Sequence, residues 1–270
     1  MKLEGTSRQA IAAVTALALA LLVTPVAAIA QNAYITNPGV YPNFAKNVTV
    51  IDTATNKVVT TIGVGLAPSG VAVTPDGKKA YVANRAVSGT VSVIDTATNA
   101  VSATIAVGRH PIGVAVKPDG SRVYVANKGN GTVSVINTAT NAVSATIEVG
   151  LAPFGVAITP DGSTVYVTNL NNTVSVIATA TNAVSATIPV GHGPLGVAFT
   201  PDGSKAYVAN EFDHNVSVVA TASHSVVTTV GVGPAPIAFG VFIMPPKMLP
   251  RAADSPPPAP PNLAPASKRK

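Results

Sequence analysis

Glu211, Asp213 and His214 fall within four residues of one another, the only place in the 270-residue sequence where two carboxyl groups and an imidazole stand so close. A carboxylate beside an imidazole can hold a proton for general acid–base chemistry, and the three groups together could offer oxygen and nitrogen ligands to a weakly held cation. Arg109-His110, His192, Arg85 and Lys128 are the other residues of this kind that do not recur from one part of the chain to another. His110 and His192 bring no third ligand, so no metal centre is expected from them. The absence of Cys removes thiolate zinc, iron–sulfur clusters and a disulfide framework. No Ser occupies a nucleophile elbow, and no Gly-rich loop opens a helix to cradle phosphate. The sequence therefore assigns no catalytic residue, no metal and no cofactor, and leaves these polar residues as candidates for ligand binding.

What positions them is a repeat. Tyr recurs at 34, 81, 124, 166 and 207, each time within Ala/Val-Tyr-Ile/Val-Thr/Ala-Asn, at intervals that shorten from 47 to 41 residues. A fixed period near 40 indicates a propeller or a solenoid. Each period holds four short apolar pieces in the same order: Gly70 to Val73, Ala80 to Ala83, Thr90 to Ile94 and Ala100 to Val107 in the second copy. They are rich in Val, Ile and Thr and show no 3.6-residue period, so they are strands. Pro75-Asp76-Gly77, repeated at 118–120, 160–162 and 201–203, supplies a tight hairpin turn between the first two pieces. Asp95-Thr96-Ala97-Thr98-Asn99 joins the last two, and its leading carboxylate can accept backbone N–H bonds. Ala178 and Ala220 replace that acceptor in the later copies, so looser turns are expected there.

Four antiparallel strands in each unit make a propeller blade. Small residues at Gly70, Gly113, Gly155 and Gly196 place the first strand of each blade at the axis, with the fourth strand outermost. Complete units span about 68–108, 111–150, 153–191 and 194–233, preceded by strands two to four of another. The expected fold is an all-β propeller of five blades over 31–244, in which Ile237 to Met244 supplies the missing first strand of the N-terminal blade and removes its open edge.

In that architecture the two kinds of turn share one face of the disc and are nearly constant from copy to copy. Arg85, Lys128, Arg109-His110, His192 and the 211–214 loop lie on the opposite face, where the copies differ. Variable loops on a rigid scaffold carry binding specificity. Of nine acids between 31 and 244, six belong to turns and Glu148 to an outer strand, which leaves Glu211 and Asp213.

The Tyr166-Val167-Thr168-Asn169 segment, the Pro-Asp-Gly turn and Val91 to Asn99 (VSVIDTATN) together resemble the YVTN family of β-propeller repeat proteins. The resemblance covers about 33–244. It implies a secreted or surface-layer protein, and relatives in the broader group include lactonases, a streptogramin-ring lyase and haem-bearing reductase domains. Most of those propellers have seven blades, from which five would depart.

The ends complete the reading. Lys2 and Arg8 precede an uncharged stretch from Ala10 to Val23, and Ala28-Ile29-Ala30 follows, which is the pattern of an export signal over 1–30. Residues 245–270 form a Pro-rich tail ending Lys268-Arg269-Lys270. The net charge of +6 lies mostly in these ends, and the middle has ten basic residues against nine acidic ones, which argues against a nucleic-acid groove. The expected protein is a monomeric, secreted, periplasmic or cell-surface propeller with no membrane span after signal cleavage. It would bind an envelope protein, polysaccharide or small molecule through the face that carries Arg109, His110, His192, Arg85, Lys128, Glu211, Asp213 and His214. An extracytoplasmic lactonase- or lyase-like enzyme and a structural envelope component are the alternatives.

Overall fold

The computed structural model describes residues 31–40 and 43–238. Among these residues the chain is all strand and turn, without a helix. The first sheet has three strands, β1 (Asn32–Val40), β2 (Asn43–Asp52) and β3 (Lys57–Gly63). The second has four in the order β4 (Pro68–Val73), β5 (Lys79–Asn84), β6 (Thr90–Asp95) and β7 (Ala100–Ala106). The third runs from β8 (Pro111–Val116) through β9 (Arg122–Asn127) and β10 (Thr132–Asn137) to β11 (Ala142–Glu148). The fourth consists of β12 (Pro153–Ile158), β13 (Thr164–Asn169), β14 (Thr173–Ala178) and β15 (Ala183–Pro189). The fifth is β16 (Pro194–Phe199), β17 (Lys205–Asn210), β18 (Asn215–Ala220) and β19 (Ser225–Gly231). All pairings are antiparallel between neighbours in sequence, as expected for propeller blades.

The core lies between blades. The middle strands are buried on both faces, which explains their nearly continuous apolar sequence, whereas the outer strands alternate. Ile105 of the outer strand β7 packs with Tyr81, Val91 and Val93 of its own blade against Val123, Val125 and Ile136 of the next. The same set of positions recurs between the first and second, third and fourth, and fourth and fifth blades. Each outer pair contains a bulge, at Ser102 in β7, whose hydroxyl donates to the Val93 carbonyl at 3.1 Å. The Ser of each VSAT piece thus offsets the outer strand by one residue, which increases the local twist.

A tyrosine latch ties each blade to its successor. The hydroxyls of Tyr34, Tyr81 and Tyr124 donate to the Oδ1 atoms of Asn99, Asn141 and Asn182 at 3.1, 3.1 and 3.2 Å, and Tyr166 meets His224 Nδ1 at 2.8 Å. Asn99, Asn141, Asn182 and His224 each close the turn before an outer strand in the left-handed region, with φ between 48° and 53°. Burial pushes the hydroxyls of Tyr81 and Tyr166 up to about 12, so both stay protonated.

The looser turns expected at Ala178 and Ala220 do not occur. Asp95 Oδ1 accepts from the backbone of Ala97 and Thr98, and the alanines forgo those bonds. Asn182 still donates to the Ala178 carbonyl at 2.9 Å, and Asn182 and His224 keep the same positive φ, because the latch of the preceding blade holds them.

In the Pro-Asp-Gly turns, Asp76 Oδ1 accepts from Thr74 Oγ1 at 2.6 Å and from the Lys78 backbone at 3.1 Å, while Gly77 takes a φ of 71° that other residues resist. Such hydrogen bonds, with Lys117 Nζ added at Asp119, hold Asp76, Asp119 and Asp161 below the ordinary carboxylate value of 3.8, and Asp202 at about 2. A carboxyl depressed in the folded state stabilises the fold above its unfolded value and loses that contribution as pH falls through the folded one. Thermal stability is therefore expected to be level above about pH 5 and to fall below about pH 4. Replacing all four Asp by Asn should lower the plateau and flatten the acid limb of melting curves recorded from pH 7 to pH 2.

Residues 1–30, 245–270 and 239–244 of the expected closing strand lie outside the described residues. Ile237 and Ala238 are not in a strand, but the Ala238 carbonyl lies over Gly196 as those of Ile112, Phe154 and Leu195 lie over Gly70, Gly113 and Gly155.

Candidate functional site

The first strands of the blades converge so closely that no side chain fits at their glycines. A Cβ on Gly70, Gly113 or Gly155 would come within 2.3 Å of the next blade's carbonyl oxygen. This convergence encloses an axial cavity of about 450 Å³, a volume in the range of small-molecule sites. Its wall is formed by Gly70-Val71, Gly113-Val114, Gly155-Val156 and Gly196-Val197, with Ile112 and Phe154. Thr36, Ser69 and Arg85 supply the polar side chains of the lining. Thr36 Oγ1 donates to the Ser69 carbonyl at 2.7 Å, and Ser69 Oγ donates to the Pro111 carbonyl at 3.1 Å, so these hydroxyls are committed to joining neighbouring blades. Arg85 is the one charged residue of the lining among the described residues. Lys128 stands over the Phe154 ring with its Nζ 5.5 Å from the centroid, a cation–π contact that places a second positive charge beside the lining.

The mouth is organised by the Asn of each Tyr-Val-x-Asn segment. Asn84 Nδ2 donates to Thr90 Oγ1 and Ser92 Oγ, both at 3.0 Å, and Asn127, Asn169 and Asn210 make the corresponding pairs. Gly65, Gly108, Gly150 and Gly191 pack directly on these amides, where a Cβ would meet them at 2.5 to 2.7 Å. The inter-blade links are thereby held in one shape, and Ala67, His110, Ala152, Gly193 and Ala235 all adopt positive φ. His110 is the second residue of such a link, with its backbone N–H donated to the Ala86 carbonyl at 3.0 Å.

The structure joins some of the candidate residues and separates others. His192 and Asp213, 21 residues apart, form a pair on the rim, with His192 Nδ1 2.8 Å from Asp213 Oδ1 and the His192 backbone N–H donating to Oδ2 at 2.8 Å. Those bonds from His192 hold the Asp213 carboxyl below its ordinary range. His214 turns elsewhere and accepts the Ala235 N–H on Nδ1 at 3.0 Å, and Glu211 donates its backbone N–H to Gly193. The three neighbours in sequence thus have three different partners. Among the described residues no group of three or more His, Asp or Glu could hold a metal ion. Arg109 donates its backbone N–H to Asn130 Oδ1, and neither Arg109, His110 nor His192 lines the cavity. Of the eight candidates, Arg85 reaches the cavity wall and Lys128 stands on a residue of it.

Thr36, Ser69 and Phe154 are absent from the sequence-based set. A signal for two of them exists: the residue between Pro and Gly at the start of each first strand reads Ser69, Ile112, Phe154 and Leu195, varying between constant neighbours. No described helix is long and apolar enough to cross a membrane.

Solved structures similar to this chain include hydrazine synthase of Kuenenia stuttgartiensis, with 30% identity and a TM-score of 0.58 over 60% of this chain and 48% of that one. The chain thus spans about half the length of the hydrazine synthase chain. A functionally unknown protein from Desulfotomaculum acetoxidans DSM 771 is similar at 22% identity and a TM-score of 0.63, over 77% of this chain and 73% of that one, a likeness of fold. No curated protein matches. The family model described as Lactonase, 7-bladed beta-propeller matches residues 47–232, which takes in the latches from Tyr81, Tyr124 and Tyr166, the inter-blade links from Ala67 to Gly193 and most of the cavity wall. On that match, the chain belongs to the lactonase family of seven-bladed β-propellers.

Proposed function

We propose that the protein is an extracytoplasmic binding propeller that admits the apolar body of a small organic anion to its axial cavity and holds the anionic group at the mouth with Arg85, assisted by Lys128. The observation that carries this reading is the composition of the lining among the described residues: apolar walls, one guanidinium and no carboxyl or imidazole. A site that must move protons needs a titratable group in reach of the reacting atoms, and binding does not. The export signal read from residues 1–30 supports the location.

Calorimetric titration with naphthalene-2-carboxylate is the test. Saturable binding is expected, and Arg85→Ala should weaken it about tenfold, the equivalent of roughly 1.4 kcal/mol, with an unchanged melting temperature. Undiminished affinity in Arg85→Ala would count against the cavity mouth.

A second reading, lactone hydrolysis, is favoured by the family and by the His192–Asp213 pair, since a carboxylate on Nδ1 leaves Nε2 facing solvent as a base. Acid release from a δ-lactone, lost in His192→Ala, would establish it.

A further inference from the structure

The fifth blade ends in the face that every earlier blade buries against its successor, and the first blade begins with the face that every later one buries against its predecessor. Val230 of β19 holds the position of Ile105, Ile147 and Ile188, yet it is 47% exposed where those are at most 6% exposed. Ile35 of β1 holds the position of Val82, Val125, Val167 and Val208, all fully buried, and is 48% exposed.

The polar parts of the interface are left over in the same way. Tyr207 is the fifth latch tyrosine, half-buried and without a hydrogen bond among the described residues, whereas Tyr81, Tyr124 and Tyr166 are fully buried. Asn56 is the matching acceptor: it closes the first Asp-Thr-Ala-Thr-Asn turn at a φ of 55°, as Asn99, Asn141 and Asn182 do in theirs, but among the described residues no tyrosine reaches it. Lys79 and Arg122 each reach into the next blade, donating to the Thr138 and Thr179 carbonyls at 2.8 Å beside the latch. Lys205 is their counterpart in the fifth blade, and Thr53 is the counterpart of Thr138 and Thr179 in the first.

We infer that these two end faces dock on one another between copies of the chain, the fifth blade of one protomer against the first blade of the next, with Tyr207 latched to Asn56 and Lys205 to the Thr53 carbonyl. A second copy is the occupant because the contact continues an interface that the chain already forms four times. Ile35 and Val230 are both exposed, so the two end faces of one chain are not packed on one another. Such a contact is heterologous: each copy uses one face and offers the other, so it propagates unless geometry closes it. It is independent of the ligand reading for the cavity.

The test is sedimentation velocity of the full chain across a concentration series. Weight-average mass is expected to rise with concentration beyond a dimer. Ile35→Arg and Val230→Arg each spoil one face at an exposed position, and each should raise the concentration of half-association about tenfold or more. An equal mixture of the two should form a dimer that grows no further, because each variant retains the face that the other lacks. Asn56→Arg and Tyr207→Arg form a second pair, to be read in the same way should the first pair unfold. A chain that stays monomeric at all concentrations, association that persists in both single variants, or a mixture that fails to dimerise would overturn the proposal.

Discussion

Tyr124→Ala is expected to lower the free energy of unfolding by about 3–5 kcal/mol, the range for removing a large buried aromatic side chain. Tyr207→Ala should cost only about 1 kcal/mol. The two tyrosines occupy the same place in their repeats, so propensity and local sequence predict equal effects. What differs is the neighbour. Tyr124 is fully buried between two blades and donates to Asn182, whereas Tyr207 is half-buried and has no hydrogen-bond partner among the described residues. Urea unfolding at low protein concentration measures both, and equal losses would mean that the tyrosine stabilises its own blade and not the contact between blades.

Gly155→Ala is expected to cost roughly 3 kcal/mol, at the upper end for forcing a methyl group into a packed core. Its Cβ would stand 2.3 Å from the Leu195 carbonyl oxygen and 3.1 Å from Thr168 Oγ1, the atom that accepts the Gly155 N–H at 2.8 Å. Backbone atoms cannot swing aside as a flexible side chain would, so two first strands must part. Because Gly155 lines the axial cavity, affinity for an aromatic carboxylate should fall together with stability. Gly63→Ala, at the solvent end of β3 with nothing within 4 Å, should change stability by less than about 0.5 kcal/mol. The contrast in melting temperature between the two variants separates close approach from the general effect of replacing glycine.

The blades were legible because their strands are short, β-branched and bounded by Pro-Asp-Gly and Asp-Thr-Ala-Thr turns, all of it local information. The latches were not. Each joins residues about 60 positions apart in adjacent repeats, and its Tyr and Asn are repeated so regularly that they read as core and turn residues alone. The even shape of the turns at Ala178 and Ala220 follows from the same long-range bonds, which is why a local argument from the lost acceptor predicted looser ones. The bulge at Ser102 also escaped, since its role lies in pairing register and a Ser within a strand carries no mark of it. At the candidate site, the residues that vary among copies were legible in the sequence. Which of its residues meet was not: His192 and Asp213 sit in different loops, and only the folded links bring them to 2.8 Å. Phe154 looked like one more apolar strand residue until the convergence at the axis turned it into part of a wall.

The central claim is that the ligand enters the axial cavity and not the loops of the rim. Ser69→Phe tests it most directly, because the equivalent position in the fourth blade is already Phe154, so the scaffold accommodates that side chain while the cavity loses room. Titration of naphthalene-2-carboxylate is predicted to show an affinity at least about tenfold weaker in Ser69→Phe, a loss of roughly 1.4 kcal/mol, and an unchanged affinity in His192→Ala. Full affinity in Ser69→Phe combined with its loss in His192→Ala would contradict the account and move the site from the axis to the rim.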